Sequence, residues 1–454
     1  MEKLKIPFSP QLIKLASLLS KPLYAVGGYV RNYLIDKTIS TDIDLAGAIS
    51  VQEIKENLQK VNYQVFAEYK RTATLVFGDE KFKFEYTVFR KEEYGSGGGH
   101  TPICTTPTDS LEQDAIRRDF KCNAVYYDIK NSIIVDPLGG VEDIKNRVID
   151  TVVNPSQVFS HDGLRLMRLA RQSAELNFTP TDQVLQSARD NADNILDISA
   201  ERIFAELIRI LESDNKYSFS SEKGHYEGLK ILDETRVLDR ILPELTLGRD
   251  MAQRQDYHNY DVLEHSLKTV LYSPRRLRLV ALLHDVGKPF CMIRDGKYHF
   301  HAVEGQKIAS KILTRLKAPK KIIKDCEFLI GAHMLDMKRD MKEVKIRKFI
   351  ALNQEYLQDL LAIKQADFTA CKDNKEQCFT VSKWREIYQK MINENTPFCL
   401  KQLDISASEV ISLGFKGAQV GKKLNQLFLL CVENPALNQK EKLIKILQNG
   451  QKKG

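Results

Sequence analysis

The feature that most constrains this chain is a change of periodicity near residue 155. Before it, short apolar runs alternate with helical turns. LYAVGG reads as a buried strand, VRNYLID as a helical turn and DIDLAG as a second strand. TATLVF and KFKFEYTVF alternate with period two, and AVYYDI and SIIVD follow as further strands. Between them lies EYGSGGGHTPICTTPTDS, Glu93 to Ser110, whose glycine, threonine and proline content reads as a mobile loop. From about Pro155 strand signals end and amphipathic helices run onward, with no internal repeat. The pattern predicts an α+β chain: a small α/β head and then a long, all-α body. At 454 residues it has room for roughly three domains, and 43% hydrophobic content suffices for packed cores.

Several classes fall away. No stretch reaches the roughly 18 uninterrupted apolar residues of a membrane span, and MEKLKIP lacks the apolar region of a signal peptide. Eight cysteines are scattered without a CxxC pair, which suggests neither a zinc ribbon nor a disulfide framework. The expected location is therefore a reducing compartment, the cytoplasm. A net charge of +8 mildly favours an anionic partner such as nucleic acid, although an excess this diffuse decides little.

Asp42 and Asp44 carry more information. Side chains two apart on a strand project from one face, so these carboxylates converge. Two carboxylates held that close repel, and they make sense around a divalent cation. Mg²⁺ takes oxygen ligands and keeps positions open for substrate phosphates. Gly27 and Gly28 lie between a strand and a helix, where bare backbone lets a triphosphate approach amide groups at a helix N-terminus. In KFKFEYTVF, Phe82, Phe84, Tyr86 and Val88 share one face, leaving Glu85 on the other as a third carboxylate. A lone DxD would be a solvated turn; with GGYVR just ahead, the catalytic reading is preferred. A second cluster, RRDFKCNAVYYD, places Arg117 and Arg118 for phosphate oxygens, and Asp119 and Asn123 for ribose hydroxyls.

Together these residues carry a resemblance. The first 212 residues resemble class II tRNA nucleotidyltransferases, the CCA-adding enzymes and their poly(A) polymerase relatives. GGYVRN and DIDLA resemble that family's catalytic motif, RRDFKCNA its ribose-and-phosphate motif, and DPLGGVEDI the motif joining head to neck. HDGLRLMRLAR resembles the nucleotide-selecting motif, and ERIFAELIRIL the helix closing the neck. Five motifs in family order imply a DNA-polymerase-β-like head, in which Mg²⁺ held by Asp42 and Asp44 supports nucleotidyl transfer onto a tRNA 3′ end. The resemblance also implies nucleotide binding by Gly27, Gly28, Arg31, Arg117, Arg118, Asp119, Asn123, Asp162, Arg165, Arg168 and Arg171, with CTP, ATP and the tRNA acceptor stem as partners.

The selecting motif has a physical logic. Asp162 and Arg165 are three apart on a helix and share a face. Aspartate accepts from an exocyclic amine while arginine donates to a ring acceptor, so one pair reads both cytosine and adenine. Uracil and guanine put a carbonyl where the amine should be, facing an acceptor with an acceptor. No nucleic-acid template is needed. The chain departs from the family pattern at His161, where glutamate is usual, at Asn32 for aspartate, at Lys121 for threonine, and at Gly97–Gly99 in a loop that often carries arginine. The loop's full length favours complete CCA addition over CC addition; addition of A alone stays open.

The helical body holds a second cluster. His265, the pair His284-Asp285 and Asp367 have the residue types and order of HD phosphohydrolases, with His301 and His333 filling a second metal position. Neutral imidazoles and a bridging carboxylate suit Mn²⁺, Fe²⁺, Co²⁺ or Ni²⁺. The resemblance implies a phosphohydrolase or 2′,3′-cyclic phosphodiesterase activity there. The expected organisation is a head over 1–150, a nucleotide-selecting neck over 151–215, a helical linker over 216–255, an HD domain over 256–372 and a helical, tRNA-contacting tail over 373–454 of an elongated body. Against CCA addition stand a poly(A) polymerase, whose relatives usually lack an HD domain, and an HD phosphodiesterase with a retired head. Intact Asp42 and Asp44 argue against the latter.

Overall fold

The strand signals of the first 150 residues resolve into one seven-stranded mixed sheet and a separate hairpin. The strands are β1 (Tyr24–Val26), β2 (Asp42–Gly47), β3 (Gln64–Tyr69), β4 (Thr74–Gly78), β5 (Lys83–Val88), β6 (Arg90–Glu93), β7 (Cys104–Pro107), β8 (Tyr126–Asp128) and β9 (Ile133–Val135). Sheet order is β3-β4-β5-β2-β1-β8-β9, with β6 and β7 paired apart from it. The computed structural model describes residues 5–451 except 96, 97, 100, 101, 255 and 257.

Three details differ from the sequence pattern. Every residue of β4 is buried although TATLVF reads as half-exposed, so both faces of this interior strand are covered. The strand β3 gave no clear signal because it is a largely exposed edge, with a bulge between Val65 and Ala67. The segment expected to be wholly loop contributes β7, which pairs antiparallel with β6 in register Arg90↔Pro107. Beyond it, Gly98 donates its amide to Asp197 and accepts from the amide of Gly163, which ties it to the neck. Ser96, Gly97, His100 and Thr101 of that segment lie outside the described residues.

After residue 155 the only strand among the described residues is Thr179–Pro180, paired with Val148–Ile149. The neck helix Leu164–Leu176 is buried at twelve of its thirteen residues. It packs on helices Ala200–Leu211 and Gly224–Glu234. The former buries Ile203, Glu206, Leu207, Ile210 and Leu211, the i, i+3, i+4, i+7 stripe of an amphipathic helix.

The chain divides into two units: Met1–Thr246 with Thr314–Ala318, and Leu247–Leu313 with Pro319–Gly454. The second is helical. There the helix Val262–Tyr272 packs on Arg278–Leu283 and Gln354–Lys372, and Lys320–Ala332 packs on the same two. A Cβ on Gly287 would lie 2.1 Å from the carbonyl oxygen of His301, so HDVGKP needs glycine for two helices to close. No helix among the described residues is long and apolar enough to cross a membrane.

Candidate active sites: an arginine-lined cleft and a buried histidine cluster

The first site forms where β1 turns into the helix Gly28–Asp36. Gly27 caps that helix at φ +75°, ψ −140°, a conformation essentially reserved for glycine. A Cβ there would come 3.3 Å from Asp44 Oδ2. The bare turn therefore lies directly against the acidic strand. Strands β2 and β5 run parallel with Asp44 opposite Glu85 and Asp42 opposite Lys83, so all three carboxylates share one exposed face. Lys83 Nζ lies 3.9 Å from Asp42. Desolvation by the surrounding walls raises the Asp44 carboxyl above its usual range; Arg118 opposes this, and Glu85 and Asp42 add to it. Crowded oxygens beside bare backbone are what a hard divalent cation relieves.

A cavity of about 630 Å³ opens beside Asp44, lined by Gly27, Gly28, Arg31 and Arg117–Asp119 on one side and by Asp162, Arg165, Arg168 and Arg171 on another. Asp42 and Glu85 are outside its lining; Glu85 meets Asp44 in a smaller adjoining cleft with Arg90, Arg117 and Arg118. The fully buried Asp114 clamps the two motif arginines. Its Oδ1 accepts from Arg117 Nε at 2.7 Å and its Oδ2 from Arg118 Nη2 at 3.0 Å. Arg118 also donates to Tyr126 Oη. Asp114 has no motif of its own, but its i, i+3 and i, i+4 spacing to the arginines is the signal that finds it.

Asp119 turns inward. It accepts from Asn123 Nδ2 at 2.8 Å, Arg168 Nε at 2.8 Å, Gln172 Nε2 at 3.1 Å and the Phe120 amide. Burial opposes its ionisation, yet Arg168 and Asn123 hold the carboxyl well below the usual range. Asn123 in turn accepts from Arg31 and donates to Gln172. Asp119 and Asn123 thus lock head to neck within this unit. Gln172 was not read from the sequence; its i, i+7 spacing from Arg165 through Arg168 is the available signal.

Asp162 and Arg165 do not share a helix face as expected: Asp162 is extended, in the turn after the helix Pro155–His161, and only Arg165 is in the neck helix. Asp162 Oδ1 accepts from the Leu164 amide at 2.9 Å, and Arg165 Nη2 donates to the Arg117 carbonyl at 2.6 Å. The departures have clear placements. His161 stacks on Tyr94 at 4.8 Å, Asn32 accepts from Arg31 at 3.0 Å, and Lys121 pairs with Asp150. Arg171 lines the cavity but is bound by Glu206 and Glu175, each at 2.6 Å.

The second site lies in the second unit and is buried throughout. His265 Nε2 is 3.3 Å from Asp285 and 3.0 Å from Asp367; His284 Nε2 is 3.1 Å from Asp285; His301 Nε2 is 3.2 Å from its other oxygen. His333 Nε2 completes the group 3.3 Å from that of His301. His284, His301 and His333 each place Nδ1 2.7 Å from a backbone carbonyl three residues earlier. A carbonyl only accepts, so each Nδ1 carries a proton and each Nε2 is turned to the aspartates; burial opposes charge on His284, but Asp285 and Asp367 push its imidazole up to about 10. The Nε2 atoms of His265 and His284 face the aspartates without a well-formed hydrogen bond. Burial also pushes His333 down to about 4, keeping it neutral. Lys288 Nζ, 2.6 Å from Asp285, and Lys364, whose Nζ donates to the His333 carbonyl at 2.6 Å, flank the cluster. Buried imidazoles around a bridging carboxylate fit a transition-metal ion.

Known proteins match in the same order. The "Poly A polymerase head domain" family covers residues 23–150, and the "Probable RNA and SrmB-binding site of polymerase A" family covers 177–247. The A-adding tRNA nucleotidyltransferase of Deinococcus radiodurans is 34% identical over 276 residues, 58% of this chain and 61% of that one. The chain therefore spans about three fifths of that relative. The multifunctional CCA protein of Hahella chejuensis is 32% identical over 312 residues, 65% of this chain and 68% of its own length. The chain belongs to the poly(A) polymerase and tRNA nucleotidyltransferase family. The fold agrees with solved structures over almost the whole length of the chain. The Bacillus stearothermophilus CCA-adding enzyme in complex with CTP superposes with a TM-score of 0.66 at 19% identity, covering 98% of this chain and 99% of that one. The Thermotoga maritima CCA-adding enzyme complexed with tRNA-CCA gives 0.62 at 14% identity, covering 98% and 96%.

Proposed function

We propose that this nucleotidyltransferase builds or repairs the 3′-terminal CCA of tRNA from CTP and ATP, without a nucleic-acid template, in the cytoplasm. The observation that carries it is the cavity that gathers Asp44, the clamped arginines, Asp162 and Arg165. Relatives named as CCA-adding or A-adding enzymes support it. Asp42, Asp44 and Glu85 would hold Mg²⁺, which supplies charge neutralisation and an activated 3′-hydroxyl. Arg117 and Arg118, fixed by Asp114, bind the triphosphate, and Gly27–Gly28 admit it to backbone amides. Asp162 and Arg165 read the base edge. The released group is pyrophosphate.

One assay tests this: purified protein, with tRNA lacking its last three, two or one nucleotides, offered each labelled NTP alone and together. CTP and ATP should be incorporated up to CCA, with UTP and GTP ignored. The Deinococcus relative favours a second reading, addition of A alone. That reading is right if only tRNA already ending in CC is extended. An open-ended run of adenylates would instead mean poly(A) polymerase. The histidine cluster supports an HD-type site, in which a transition metal would supply an activated water for attack on a phosphate ester.

A further inference from the structure

The histidine cluster has an outer neighbour. His258, His265 and Cys371 offer ligand atoms that all lie within 4.8 Å of one another. His258 stands in the stretch before the helix Val262–Tyr272, and its ring meets that of His265 edge-on at 4.9 Å. Cys371 is one turn after Asp367 on the helix Gln354–Lys372, so a single helix face carries both the inner carboxylate and the thiol. His265 is fully buried, and neither of its ring nitrogens has a hydrogen-bond partner; His258 Nδ1 is buried without one too. Unpaired imidazole nitrogens of this kind are costly unless something accepts their lone pairs. His265 Nε2 already faces Asp285 and Asp367, which leaves Nδ1 turned from them.

We propose that His258, His265 and Cys371 form a separate metal-binding site for a thiophilic divalent cation such as Zn²⁺ or Co²⁺. His265 is the shared wall: it gives up its remaining ring proton to solvent and bridges as an imidazolate, with Nε2 at the inner, carboxylate-rich position and Nδ1 at the outer one. Bonds of about 2.0–2.3 Å to nitrogen and sulfur set donor atoms roughly 3.3–3.8 Å apart in a tetrahedron. Binding thus draws the three groups together by roughly 1 Å. The thiol loses its proton to solvent as the sulfur–metal bond forms, giving up its contact of 3.3 Å with the Asp367 carbonyl. His258 and Cys371 are only partly buried, so an ion reaches them without opening the core, and water completes the coordination. A nitrogen–sulfur set beside a nitrogen–carboxylate set sorts soft from hard cations.

Co²⁺ is the probe, because a cobalt–thiolate bond absorbs in the near ultraviolet and cobalt held by nitrogen and oxygen does not. Chelator-stripped full-length protein titrated with Co²⁺ should develop that band. Cys371→Ser should abolish it, and His258→Ala should weaken the titration by roughly tenfold or more, with nucleotide addition retained in both as a check on folding. A measurement needing no variant accompanies it: Zn²⁺ should protect Cys371 from alkylation, read by peptide mass. A silent near ultraviolet, a band that persists in Cys371→Ser, or alkylation of Cys371 indifferent to Zn²⁺ would each overturn the proposal.

Discussion

The two candidate centres solve opposite problems with the same elements, carboxylates and nitrogen bases. In the cleft, Asp42, Asp44 and Glu85 are exposed on a strand face, and the arginines around them are anchored from behind by Asp114 and Asp119. In the histidine cluster the ligands themselves are sealed, and backbone carbonyls fix their tautomers. Under the proposed function, a cleft that admits a triphosphate and an RNA end keeps its carboxylates at the surface and buries their supports. The histidine cluster keeps its candidate ligands inside the fold, where any bound ion would also take part in the packing. Mutations should therefore separate cleanly: ligand loss in the cleft costs chemistry, and ligand loss in the cluster costs stability.

The largest expected effect is on the cleft. Asp44→Ala should lower nucleotide addition at least about 10³-fold with the melting temperature nearly unchanged. Single-turnover rates and calorimetry check both halves; a large loss of stability would break the contrast. Next comes Asp285→Ala. It leaves Lys288 buried beside an empty position, which costs about 3–5 kcal/mol, and elemental analysis should find the transition metal gone while nucleotide addition in Mg²⁺ persists. Loss of addition in that folded variant would tie the two sites together.

A smaller effect sharpens the cleft's own division of labour. Arg165→Ala should retain turnover and narrow the preference for CTP and ATP over UTP and GTP by about 1–3 kcal/mol, read from competing kcat/KM values. The smallest concerns acid stability. Asp119 has a folded-state pKa below its unfolded value, so its contribution is fully present above about pH 4 and is lost as pH falls below that. Asp119→Asn should therefore flatten the fall in denaturation midpoint between pH 4 and pH 2.

What could be read in advance follows from periodicity and chemistry. Period-two alternation put Glu85 on the acidic face, and β2–β5 pairing brings it opposite Asp44. The six residues of the histidine cluster were legible because their types and order are specific. Asp114 and Gln172 were not, because a buried polar anchor is defined by the partners that fold around it. Edge strand β3 was illegible for the converse reason: mostly exposed residues leave no burial pattern. The tautomers of His284, His301 and His333 depend on local backbone geometry that no residue type encodes.

Arg165 donates to the main-chain carbonyl of Arg117, whose side chain lines the same cavity. Under the proposed function, base recognition and grip on the triphosphate share one piece of backbone, so a nucleotide that shifts Arg165 also shifts the chain that carries Arg117.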